Sequence, residues 1–167
     1  MPSPVKPIPE GFHTITPGLV IRGAADAIEF YKKALGAQEI MRMTGPDGLI
    51  GHAELRIGDS VLFITDEMPN MGMCKSPQTL GGSTGSLYLY VEDVDSAFKR
   101  AVDAGGKASM PVTDMFWGDR FGAVTDPYGF TWGFATHTKD LTPEQIDEGA
   151  KAFHAQMAQQ QAQKKSA

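Results

Sequence analysis

The sequence predicts an α+β fold: two β-α-β-β-β modules in tandem, whose curved mixed sheets enclose a cavity, followed by a C-terminal helix. Three observations lead there. Residues 12–67 read in order as strand, helix and three strands, and residues 86–140 read in the same order. The helix stops Gly36 and Gly105 stand 69 positions apart, and so do the helix starts Asp26 and Asp95. The hairpin turns at Gly58-Asp59 and Pro127-Tyr128-Gly129 keep roughly the same step.

Taken in order, residues 1–11 form a stiff arm with Pro2, Pro4, Pro7 and Pro9. FHTITPGLVI (12–21) is the first strand, which Pro17 confines to a sheet edge or bends at its entry. In ADAIEFYKKALGA, Ala27, Ile28, Tyr31, Ala34 and Leu35 recur at helical spacing, with Asp26 to cap the start and Gly36 to end the helix. QEIMRMT (38–44) is a strand and GPDG a turn. LIGHAELRI (49–57) alternates, with Ala53, Leu55 and Ile57 on one face and His52, Glu54 and Arg56 on the other. SVLFITD (60–66) closes the first module.

Residues 68–85 are rich in Met, Pro, Gly and Ser and read as a flexible linker, in which Met68, Met71 and Met73 are candidates for an apolar lid. In the second module SLYLYV is a strand with Ser86, Tyr88 and Tyr90 on one face, DVDSAFKRAVDAGG a helix and KASMPVT a strand. WGDRFGAVTDPYGFTW (117–132) is then a hairpin about an Asp-Pro-Tyr-Gly turn. Residues 141–167 form the C-terminal helix: Thr142, Pro143 and Gln145 make a capping box, and Ile146, Ala150, Phe153 and Met157 an apolar stripe. Beyond Met157 the Gln/Lys tail has nothing to bury and is expected to fray.

Bulk properties narrow the function. The 167 residues are 41% hydrophobic and 21% charged, with a formal net charge of −5. No basic stripe suited to phosphate binding is visible, so a nucleic-acid partner is not expected. No apolar run approaches a membrane span and the start lacks a signal-peptide pattern, so a cytoplasmic protein is expected. The one cysteine, Cys74, excludes an internal disulfide and a cysteine-based zinc knuckle.

Several motifs then point to a family. Phe30-Tyr31-(x)3-Leu35-Gly36 and Val91-x-Asp93-Val94-Asp95, set in duplicated modules, resemble the vicinal oxygen chelate superfamily of glyoxalases, bleomycin-resistance proteins and extradiol dioxygenases. His52-Ala-Glu-Leu-Arg-Ile-Gly-Asp59, Trp117-Gly-Asp-Arg120, Asp126-Pro-Tyr-Gly129 and Thr131-Trp132 with Ala135-Thr-His137 look like its PhnB-like branch. The resemblance covers about residues 12–141. It implies a homodimer whose cupped sheets hold a small organic molecule.

Metal-dependent members hold one divalent ion with His and Glu side chains from four strands. By motif, those positions fall near Thr16 and at Glu54, Ser86 and Gly133, of which only Glu54 is a strong ligand. No catalytic metal is therefore expected, although a site rebuilt from His52, Glu54 and His137 is the alternative. The expected ligand contacts are His52, Glu54, Ser86, Tyr88, Trp117, Asp119 and Arg120. Two functions stay open: a binding module of the bleomycin-resistance kind, or a lyase, isomerase or dioxygenase-type enzyme. The enzyme would be either metal-free, with His52 and Glu54 as an acid–base pair and Arg120 as an oxyanion clamp, or dependent on a rebuilt divalent-metal site. Arg120 also reads as a structural ion-pair partner, and Trp117 as either a stacking wall or a plug between modules.

Overall fold

The computed structural model describes residues 5–68 and 74–165. The first module comprises β1 (Gly18–Ile21), α1 (Ala24–Leu35), β2 (Gln38–Thr44), β3 (Ile50–Ile57) and β4 (Ser60–Asp66). A short helix, α2 (Pro77–Leu80), precedes the second module of β5 (Ser86–Tyr90), α3 (Val94–Asp103), β6 (Lys107–Asp114), β7 (Asp119–Thr125) and β8 (Thr131–His137). The long α4 (Pro143–Lys165) ends the chain. The sheets have matching strand orders, β1-β4-β3-β2 and β5-β8-β7-β6, each with one parallel pair (β1–β4, β5–β8) among antiparallel ones. The duplication read from the spacing is thus a duplication of topology.

One face of each sheet is covered by the helices, and α1 packs against α3. Alanines at the buried positions of both helices, Ala27 and Ala34 in α1 and Ala97 and Ala101 in α3, keep this layer thin. Arg100 Nε, from α3, donates to the Ala34 carbonyl at 3.1 Å. Leu19, Ile28, Leu55 and Ile64 of the first module and Val94, Val124, Trp132 and Phe134 of the second belong to one continuous core. Trp132 and Phe134 therefore face the helices, as the alternation of β8 predicts.

Three local expectations are corrected. The first strand pairs only over Gly18–Ile21. Residues 12–17 carry no strand; instead the Phe12 ring packs 6.0 Å from Phe63 of β4. α1 begins at Ala24, ahead of Asp26, with Gly23 as an N-cap at φ 82 that supplies no side chain. Its cap comes from β4: Asp66 Oδ1 accepts from the Gly23 and Ala24 amides at 3.1 and 2.9 Å, and Oδ2 accepts from the Ile50 amide at 2.8 Å. A buried carboxylate is stable there because it satisfies orphan amides at the positive end of a helix. In α3 the N-cap is Asp93, accepting from the Ser96 amide at 3.0 Å, while Asp95 lies in the first turn.

The described part of the expected linker carries α2, tied back to Glu67. Glu67 accepts from the hydroxyls of Ser76 and Thr79, both at 2.6 Å, and Ser76 caps α2. Met71 and Met73 of the expected lid lie outside the described residues. The capping box of α4 forms, with Thr142 N donating to Gln145 Oε1 at 2.9 Å and Gln145 N to Thr142 Oγ1 at 3.3 Å. Past Met157 the chain is helical to Lys165, in keeping with the helix preference of its Ala, Gln and Lys residues. No described helix is long and apolar enough to cross a membrane.

Candidate functional site

The helix-free face of the second sheet gathers the polar and aromatic residues. Register places them: Asp119 of β7 lies opposite His137 of β8, Phe121 opposite Ala135, and Ala123 opposite Gly133. On the other flank of β8, Tyr88 lies beside Gly133 and Tyr90 beside Ala135. With no side chain at Gly133, the rings of Tyr88 and Phe121 close over it and stack, 5.1 Å apart and within 10° of parallel. A Cβ at Gly133 would meet Phe121 Cε2 at 2.7 Å and Tyr88 Cδ2 at 3.1 Å. Trp117 adds an edge contact to Phe121 at 6.0 Å, and Tyr90 lies 5.2 Å from Tyr88. Together these rings make an aromatic cup.

Asp119 sits at the base of the cup, only 3% exposed. Its Oδ2 accepts from Trp117 Nε1 at 3.0 Å, Tyr90 OH at 3.1 Å and Tyr88 OH at 3.3 Å. Its Oδ1 faces His137 Nδ1 at 2.7 Å, while His137 Nε2 faces Asp140 Oδ1 at 3.0 Å. Only the imidazolium donates through both nitrogens, so two carboxylates on opposite sides favour the protonated ring.

The electrostatics follow. Burial pushes the Asp119 carboxyl up, but hydrogen bonds from His137, Tyr90, Trp117 and Tyr88 outweigh it and hold the group below its ordinary value. His137 is raised, first by the bond to Asp119 and then by that to Asp140. Burial, followed by the Asp119 charge, pushes the Tyr88 phenol up to about 12. The cup thus combines neutral phenols and a charged carboxylate with an imidazole drawn toward its protonated form.

The other expected contacts are dispersed. His52 and Glu54 lie on the helix-free face of the first sheet, Nε2 to Oε1 at 3.2 Å, with the His52 ring edge-on to Phe63 at 4.8 Å. Met43 and Met41 are their cross-strand neighbours on β2, and both are exposed. Ser86 and Tyr88 border a cavity of about 280 Å³ at the seam between the sheets, whose apolar wall includes Ile57, Leu62, Leu89 and Trp132. Arg120 alternates to the helix-covered side of β7. There it makes a two-pronged pair with Asp95 (2.7 and 2.8 Å) and a further bond to Asp114 at 3.1 Å. It belongs to the ion pairs that join α3 to the β6–β7 hairpin and does not converge with His52 and Glu54.

Of the four positions that the resemblance assigns to metal ligands, Gly133 lies under the aromatic stack and Glu54 is engaged by His52. Thr16 and Ser86 bring only hydroxyls. Among the described residues no three His, Cys, Asp or Glu side chains converge on a point that an ion could occupy. His137, the distant member of the rebuilt alternative, is committed through both nitrogens to Asp119 and Asp140. The donor set of this chain does not fit a divalent ion at these positions.

Tyr90, Phe121, Asp140 and the hub role of Asp119 are what sequence reasoning missed. Tyr90 was accessible through its alternation with Tyr88. The Asp119–His137 pairing needs the β7–β8 register, which the turn at 126–129 sets but whose consequence 18 residues apart is easily overlooked.

The fold agrees with comparison to known proteins. The family model for the glyoxalase/bleomycin resistance protein/dioxygenase superfamily matches residues 11–134, and the chain belongs to that superfamily. It is similar to Rv0887c of Mycobacterium tuberculosis, 40% identical over 134 residues covering 79% of each chain. The X-ray structure of the Arabidopsis thaliana At5g48480 product superposes with a TM-score of 0.60 at 31% identity, covering 74% of this chain and 98% of that one. A PhnB protein from Bacillus cereus shares the fold at a TM-score of 0.58 and 21% identity, over 74% of this chain and 99% of that one.

Proposed function

We propose that this chain is a binding protein that holds a small organic molecule against the helix-free face of its second sheet, without a divalent metal. The observation that carries the reading is the Tyr88–Phe121 stack over Gly133, flanked by Trp117 and Tyr90 and anchored on the buried Asp119. Flat aromatic surface held rigid by hydrogen bonds at the ring ends offers contact area at little entropic cost. The family's metal position is given over to that surface. The protein acts as a homodimer, a state supported by Met41 and Met43, both exposed on the open face of the first sheet in the single chain. The exposed free thiol of Cys74 accords with a cytosolic location.

Native mass spectrometry of the purified protein tests the reading. A co-purifying small molecule should be retained by the wild type and lost from Tyr88→Ala, with a dimer as the carrying species; equal retention by Tyr88→Ala would refute the site. A catalytic reading rests on the His52–Glu54 contact alone, since Arg120 stands elsewhere. It predicts chemical conversion of the bound molecule that stops in His52→Gln while binding persists. Elemental analysis covers the metal-dependent alternative: stoichiometric metal lost in Glu54→Ala would overturn the metal-free reading.

A further inference from the structure

The hydrogen-bond polarity of the cup restricts what it accepts. Its donors are the hydroxyls of Tyr88 and Tyr90, the indole N–H of Trp117 and Nδ1–H of His137, and all four are spent on one carboxylate, Asp119. The remaining imidazole N–H is spent on Asp140. What the cup still presents outward is the lone pairs of two phenol oxygens and the faces of the rings, Tyr90 being 67% exposed and Tyr88 45%. Both features attract positive charge or N–H donors and offer nothing to an anion. The fixed charges agree in sign: two carboxylates, Asp119 and Asp140, flank a single imidazole, so the balance is negative in either protonation state of the ring. The arginine nearest in sequence, Arg120, is turned to the other side of the sheet and neutralised by Asp95 and Asp114.

From this we propose that the ligand class is a planar organic cation, such as a quaternised or protonated nitrogen heterocycle, seated on the rings of Tyr88 and Tyr90 with its charge over the Asp119 hub. The inference rests on the binding reading above and narrows it. It predicts discrimination by charge at constant shape, because the aromatic contact area is common to cation, neutral and anion while the cation–π attraction is not.

The test is isothermal titration of the full chain at pH 8 with three acridines of closely similar outline: 10-methylacridinium, acridine and acridine-9-carboxylate. The cation should bind about 5- to 30-fold more tightly than neutral acridine, and the carboxylate should show no saturable binding. Tyr90→Leu should abolish the preference for the cation, and Tyr90→Phe, which restores the ring, should restore most of it. If acridine or its carboxylate binds as tightly as the cation and Tyr90→Leu weakens that binding, the cation class is wrong and the site stands. If none of the three binds, or if binding ignores both Tyr90→Leu and Tyr88→Ala, the site itself is wrong.

Discussion

Asp126 and Asp119 sit near opposite ends of β7, are both buried, and serve different ends. Asp126 accepts from Tyr31 OH and Trp132 Nε1, both at 2.8 Å, and from the amides of Tyr128 and Phe130, both at 2.9 Å. Tyr31 belongs to the first module and Trp132 to the second, so this one carboxylate ties the modules together inside the core. Burial, then the Asp126 charge, drives the Tyr31 phenol well above its ordinary value, which keeps it a donor. Tyr31→Phe should cost about 1.5–3 kcal/mol, the range for a hydrogen bond to a charged group, read as a lower urea midpoint; a loss within error would contradict the hub. Asp119 faces the open side, and its partner His137 titrates. Because the folded His137 value is raised, its bonds contribute full stability below the unfolded value near 6.5 and lose it as pH rises through the raised folded value. The Asp119 value is lowered, so its own contribution is present above the unfolded value near 3.9 and fades as pH falls through the folded one. The His137 ring should therefore show an NMR midpoint above 6.5 that drops in Asp140→Asn, and an unchanged midpoint would remove Asp140 from the assembly.

At the level of elements, two glycines show how backbone approach shapes the site. Gly133→Ala would drive a methyl into the Phe121 and Tyr88 rings. We expect it to cost about 1–3 kcal/mol by overpacking and to weaken 10-methylacridinium binding at least tenfold, since the stack must open. Retained affinity would mean that the stack is not the floor. Gly118, at φ 98, lies against the Lys139 carbonyl, and its own carbonyl accepts from the amides of Thr138 and Lys139 at 2.9 and 3.0 Å and from Thr138 Oγ1 at 2.8 Å. That contact, with Phe116 against Phe153 at 5.5 Å and Gly149 close under Phe116, sets the base of α4 beside the rim of the cup. Gly118→Ala should thus raise amide exchange along the first turns of α4 while leaving β1–β4 protected. The elements themselves were largely legible: β2 and β4 match the predicted spans, because alternation and turn residues are local signals. The start of α1 was not, because its cap, Asp66, is supplied from 42 residues away.

For the whole molecule, the continuous core and the Tyr31–Asp126–Trp132 link predict that the modules do not melt separately. Probes in each, such as amide exchange at Ile64 and at Val124, should report one unfolding free energy; two well-separated values would show that the duplication is also a division of stability. The sequence by itself determined the repeat, the strand and helix order and the family. Hydrophobic periodicity, turn chemistry and residue type are written residue by residue, and for that reason they survive without coordinates. Only the tertiary structure decided that Arg120 leaves the site for Asp95, that Asp119 collects four donors from two strands and a turn, and that rings close over Gly133. Those outcomes depend on strand register and on which face each residue takes in the assembled sheet, quantities fixed by packing between segments that lie far apart in the chain.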